Sequence, residues 1–156
     1  MAALLSGTYS FLDVTCAITG PGIHADLSDP GYSGEGIKIA NVSEKDVMTI
    51  GAGGAGMHSL VASKAAKVTI SLLKTGPGNA MLNQAYNFQT TSSANHGQNT
   101  ITVVNPVSGD NITLQGGAFA KEPDLTYAIE GGMVEWEFNF VQRDSILGNG
   151  FQNTGI

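Results

Sequence analysis

The sequence predicts a mainly β protein, an antiparallel β-sandwich or barrel with one α-helix. Three observations lead there. Apolar and polar residues alternate with period two in several separate stretches, the mark of half-buried strands. Glycine, proline, asparagine and aspartate cluster between those stretches, where hairpin turns need them. One stretch instead repeats its apolar residues at three- and four-residue spacing, which marks a helix.

In chain order, the first strand is expected over 11–18, where Leu12, Val14, Cys16 and Ile18 alternate with Phe11, Asp13, Thr15 and Ala17. A long loop follows over 21–35. Ile37 and Ile39 flank Lys38 in a second strand. A second long loop over 43–66 holds many of the 21 glycines. Val68, Ile70 and Leu72 then alternate with Lys67, Thr69 and Ser71. Past the breakers Gly76, Pro77 and Gly78, a helix is expected over 79–89, with Asn79 as its N-cap. Ile101 with Val103, and Ile112 with Leu114, read as a hairpin around Pro106, Gly109 and Asp110. Residues 125–128 offer another short strand before Gly131 and Gly132. The clearest strand comes last: Val134, Trp136, Phe138 and Phe140 alternate with Glu135, Glu137, Asn139 and Val141. The expected core is Val14, Ile70, Leu72, Trp136, Phe138 and Phe140. Residues 1–156 read as a single domain.

Composition narrows the function. Charged residues are 13% of the chain against 42% hydrophobic, where typical domains carry about 25% charged residues. So few charges suit a surface that is hidden against copies of itself. The 7 basic residues stand singly in a chain of net charge −6. Tight nucleic-acid binding needs several basic phosphate contacts, so sequence reading is not expected. The one cysteine, Cys16, makes no intrachain disulfide and reads as a small buried hydrophobe. The N-terminus carries no leader pattern or anchor, so folding in a cytoplasm is expected.

Candidate chemistry is thin. Gly51, Gly53 and Gly56 match a dinucleotide fingerprint, but that motif wants an acidic residue about 20 positions on. None lies between Asp46 and Asp110. His24, His58 and His96 lack the spacing of a metal site. No nucleophile elbow occurs. Glu135 and Glu137 share a strand face, where a solvated role asks for nothing more. No catalytic residue, cofactor or metal is therefore expected.

Seven short strings, taken in order, carry a resemblance. Ser10-Phe11-Leu12-Asp13-Val14, Glu35-Gly36-Ile37, Met57-His58-Ser59-Leu60, Leu72-Leu73-Lys74-Thr75, Tyr86-Asn87-Phe88-Gln89-Thr90, Asn105-Pro106 and Glu135-Trp136 resemble the tail tube proteins of contractile-tailed bacteriophages. The match covers about 9–148 and is weakest over 21–34 and 149–156. The resemblance implies a structural, non-catalytic subunit. Its copies would form hexameric rings, each giving strands to one intersubunit β-barrel around a channel. Rings would stack on a baseplate to a length set by a tape-measure protein, under a terminator and inside a sheath. DNA would be ejected along the channel into the host. The protein would belong to the virion tail, be assembled in the host cytoplasm, and have no membrane anchor.

Within that picture Glu135, Glu137 and Asn139 are expected to face the channel as an acidic lining. The 43–66 loop, with Lys45, Asp46, Met48, Met57 and His58, is expected to stack the rings. The helix is expected to lay Leu82, Ala85 and Tyr86 on the sheet's outer face and offer its polar side to sheath. Two alternatives stand beside this. One is a tube or terminator protein of a related non-contractile tail or secretion-type device. The other is a small β-sandwich that binds a ligand.

Overall fold

The structure, a computed structural model, describes residues 7–27 and 34–148. The strands are β1 (Thr15–Gly20), β2 (Ile23–Asp26), β3 (Gly34–Asn41), β4 (Asp46–Ile50), β5 (Gly56–Leu60), β6 (Ala66–Leu73), β7 (Asn99–Asn105), β8 (Asp110–Lys121), β9 (Met133–Phe140) and β10 (Gln142–Ile146). One helix, α1 (Gly78–Gln89), lies among the described residues. Eight strands form one antiparallel sheet in the order β2-β1-β7-β8-β9-β6-β3, with β10 also paired to β8. The fold is the mainly β, antiparallel architecture with one helix that the alternation predicts.

The long strand β8 makes the sheet turn over on itself. Its first half pairs with β7 and β10, Leu114 lying opposite both Ile101 and Arg143. Its second half pairs with β9, Phe119 opposite Phe138. Gly116 and Gly117 sit between the halves. Gly116 has φ +67, and a Cβ on Gly117 would lie 2.1 Å from Phe140 Cε1. Two residues without side chains allow this bend and the close pass of Phe140. Val141, whose N–H bonds Gln115 O at 3.2 Å, breaks β9 from β10 at the same corner. The curl brings Arg143 Nη1 to Asn41 Oδ1 at the end of β3, 3.1 Å away.

The core fills the inside of this curl. Ile18, Ile101 and Leu114 from one half meet Val68, Ile70, Leu72, Trp136 and Phe138 from the other in one buried cluster. Phe119 anchors its aromatic part, with Tyr86 edge-on at 5.6 Å, Trp136 at 5.9 Å and Phe138 at 4.6 Å. Leu82 and Ala85 of α1 join the same cluster. The helix therefore packs on the inner side, not on the sheet's outer face as the sequence suggested. The C-terminal end of α1 is tied by a buried amide pair: Gln89 Nε2 donates to Asn99 Oδ1 at 2.8 Å, and Asn99 Nδ2 donates back at 2.7 Å.

Cys16 lies in this core. Burial, with the Asp26 charge adding to it, pushes its thiol up from 9.0 to about 12. An unfolded chain ionises the thiol near its ordinary value, the folded chain only near 12. Its contribution to stability is thus whole below pH 9.0 and is lost as pH climbs toward 12. Iodoacetamide at about pH 8 is expected to spare the native thiol and to label it in denaturant. Prompt labelling of the native protein would show that β1 is not held as described.

Several local expectations are corrected. Residues 11–13 form a short 3-10 turn, because Ser10 Oγ accepts the Leu12 N–H at 3.2 Å and competes with the strand. Leu12 is consequently 84% exposed, and β1 begins only at Thr15. Asn79 is not the cap. Pro77 holds that position, while Asn79 donates to Leu73 O at 2.8 Å and accepts from Trp136 Nε1 at 3.0 Å. The 21–35 loop contains β2, folded back on β1 through Gly22 at φ +78. Residues 28–33 of that loop, and the 149–156 tail, lie outside the described residues. Residues 125–128 form no strand, having no ladder to join. The 43–66 loop is largely a hairpin, described next.

Candidate functional site

The hairpin β4–β5 is the feature least explained by packing. Met48 lies opposite His58, Thr49 opposite Met57 and Ile50 opposite Gly56. Gly51 N–H closes the tip on Ala55 O at 2.8 Å, with Gly54 at φ +89. The glycine fingerprint thus turns an antiparallel ribbon and opens no helix. The ribbon continues the ladder of β3 and β6: Val42 N–H bonds Ala65 O at 3.1 Å, and Val61 N–H bonds Lys45 O at 2.9 Å.

Every residue of β4 and β5 is exposed. Asp46, Met48, Ile50, His58 and Leu60 share one face of the ribbon; Val47, Thr49, Met57 and Ser59 share the other, as the register dictates. Both faces carry large apolar side chains, and Leu60 is 88% exposed. His58 Nδ1 meets Asp46 Oδ2 at 2.9 Å across the first face. Lys45 sits at the base and donates to Val61 O at 3.1 Å. The structure therefore gathers Lys45, Asp46, Met48, Met57 and His58 on one hairpin. Val47, Ile50 and Leu60 belong with them and were not singled out in the sequence. The signal was partial: two short segments holding Val47, Met48 and Ile50, and Met57 and Leu60, flank a glycine-rich turn, which is a hairpin spacing.

A two-stranded hairpin is marginal by itself in water. No other described residue covers its apolar faces, and exposed apolar surface of this extent is a mark of an interaction site.

The second surface is the outer face of β9. Glu135, Glu137 and Asn139 project from it, opposite to Val134, Trp136, Phe138 and Phe140, which are buried. Ile70 and Leu72 are buried across from them on β6. Val14, also expected in the core, is only half-buried and lines a groove with Tyr9, Ile37 and Val103. The Glu135 face is not uniformly acidic. Lys67 lies opposite Asn139, and its Nζ is 3.3 Å from Glu137 Oε2. Lys121 lies opposite Glu137, and Lys38 lies opposite Thr69 one strand further. Three lysines and two glutamates share this face, so its charge is mixed and not acidic as the sequence suggested. The mixing arises because the lysines come from three strands far apart in sequence. Such exposed pairs contribute little to stability, about 0–1 kcal/mol.

Among the described residues, no group of three His, Cys, Asp or Glu is placed to hold a metal. His24 instead contacts Thr19 Oγ1 at 3.2 Å.

The family model described as bacteriophage PhiTE tail tube protein matches residues 6–148. No curated protein matches significantly. Three solved structures are similar over nearly their whole length. The tube-terminating cap of the anti-feeding prophage is 9% identical, covering 95% of this chain and 96% of that chain, with a TM-score of 0.59. The sheath/tube terminator of the extracellular contractile injection system PVC, in its extended state, is 10% identical over 92% and 99%, with a TM-score of 0.59. The tail of an empty GTA particle, with C6 symmetry, is 12% identical over 90% and 98%, with a TM-score of 0.55. At these identities the likeness is one of fold.

Proposed function

We propose that this chain, which belongs to the bacteriophage PhiTE tail tube protein family, closes with its own copies into six-membered rings that stack into the inner conduit of a tail. It is a structural protein of the tail and not an enzyme. The observation that carries the assembly reading is the β4–β5 hairpin, apolar on both faces and exposed along its whole length. A subunit that polymerises has a use for such a ribbon; a monomer would carry it as an aggregation hazard.

The free edges support the ring. Among the described residues β2 pairs only with β1, and β3 only with β6. Unpaired edges are satisfied when neighbouring copies join them into one closed barrel. The solved GTA tail has sixfold symmetry, which agrees with a ring of six. The hairpin then makes the axial contact, through Met48, Met57 and their neighbours.

In this reading Glu135, Glu137 and Asn139 face the channel, among Lys38, Lys67 and Lys121. Glu135 and Glu137 offset most of the positive charge on that face, and Lys67 is paired with Glu137, so DNA meets no concentrated basic patch and slides through during ejection into the host. Sheath would pack outside, where α1 exposes Asn83, Gln84 and Asn87. Tape-measure, baseplate and terminator proteins would set the length and close the ends. Assembly would take place in the host cytoplasm, and the whole chain would act as one domain.

The test is Met48→Glu with Ile50→Glu. Two carboxylates on one hairpin face should leave folding and rings intact while abolishing tubes. Negative-stain microscopy with sedimentation reads the outcome. Normal tubes from the double variant would end the stacking role of the hairpin. Wild-type protein that gives only isolated rings would favour a terminator instead.

A further inference from the structure

We infer that the crest between β8 and β9, residues 122–133, is the seat for the β4–β5 hairpin of the next copy along the stack. This rests on the stacked-ring reading above and names the surface that receives the hairpin.

The crest exposes large apolar side chains beside the carboxylates of Glu122, Asp124 and Glu130. Leu125, Tyr127, Ile129 and Met133 are all exposed, and Ile129 is at 105% relative exposure. No strand or helix forms over 122–132, and β9 begins at Met133, yet one side chain fixes the shape of this loop. Lys74 Nζ donates to Thr126 O and lies 3.8 Å above the Tyr127 ring. Its N–H also bonds Gly132 O at 3.2 Å. A cation over an aromatic face and a backbone bond together hold an irregular loop in one form. A surface held in shape before contact loses less freedom when it binds.

Position selects the occupant. At one end of β6, Leu73 pairs with Met133 beside the crest. At the other end, Ala66 pairs with Asn41, where the chain leaves for the hairpin. The strand between them has 8 residues, about 25 Å at roughly 3.3 Å each. Hairpin and crest therefore lie at opposite ends of the same sheet. A contact between unlike ends is heterologous, and repeated along the strand direction it propagates without closing. Hairpin on hairpin, or crest on crest, would stop at two copies.

Size agrees as well. Five apolar hairpin side chains present several hundred Å², approaching the ~800 Å² that each side of a stable interface buries. The glycine tip at 51–54 carries little bulk, which favours close backbone approach.

Two full-length variants test this: the hairpin variant Met48→Glu/Ile50→Glu, and a crest variant, Leu125→Glu/Ile129→Glu. Each alone should form rings, which also shows that it folds, while pelletable tube falls by at least about tenfold. Preformed rings of the two, mixed one to one, should give two-ring stacks and nothing longer, since one supplies an intact crest and the other an intact hairpin. Normal tubes from the crest variant would overturn the inference alone. So would a crest variant that makes no rings, which would place the crest between neighbours within a ring. A mixture that stays as single rings would show that the two surfaces do not meet. Tubes from the hairpin variant would instead remove the stacking reading itself.

Discussion

Trp136→Ala is expected to destabilise the protein by about 3–5 kcal/mol. The indole is 2% exposed, stands edge-on to Phe119 at 5.9 Å, and donates its N–H to Asn79 Oδ1 at 3.0 Å. Truncation removes a large apolar group, leaves a void the two halves of the sheet cannot close, and strips Asn79 of its donor. For a chain of this size the loss corresponds to about 6–20 °C in Tm. Calorimetry measures it directly. Trp136→Phe keeps most of the volume and loses only the hydrogen bond, so it should cost roughly 1–2 kcal/mol. Equal costs for the two variants would mean that packing is not what Trp136 contributes.

Gly117→Ala is expected to cost about 3 kcal/mol, at the upper end for overpacking. The added Cβ would lie 2.1 Å from Phe140 Cε1 and 2.7 Å from its Cζ. Phe140 is itself buried and packs tilted against Phe138, centroids 6.1 Å apart, so it cannot swing aside without disturbing the aromatic row. Phe140→Ala alone should cost about 3–5 kcal/mol. Combining the two changes tests the contact, because the methyl group then enters space the ring has vacated. The double variant should be more stable than the sum of the single losses by about 1–3 kcal/mol. Strict additivity would show that the ring and the glycine do not compete. Trp136, the only tryptophan in the chain, gives a fluorescence signal for denaturant titrations of the Gly117 and Phe140 variants.

What the sequence disclosed follows from which side chains a single chain buries. β9 and β6 each bury one face, so Val134, Trp136, Phe138 and Phe140, and Val68, Ile70 and Leu72, keep strict alternation. The helix kept its spacing because Leu82 and Ala85 enter the same core. β4 and β5 bury neither face, so no alternation marked them, and adjacent Val47 and Met48 blurred the pattern. β10 was missed for a related reason: its register is set by β8, and none of its residues is buried. At 125–128 apolar content suggested a strand, but strands need a partner ladder more than apolar residues. The charge balance around Glu137 was invisible along the chain. Lys38, Lys67 and Lys121 meet it only after β3, β6 and β8 are laid side by side. Family membership came from ordered strings rather than from any one chemical motif.

The way the hairpin leaves the sheet has a mechanical side. β3 and β6 both run directly into it, so a pull on its tip travels down two strands at once. That load does not peel rungs one by one. It slides β6 past β9 along their full paired length, from Ala66 beside Phe140 to Leu73 beside Met133. Many hydrogen bonds must then yield together, which in the proposed tube would keep the stack in one piece when thrust or bent.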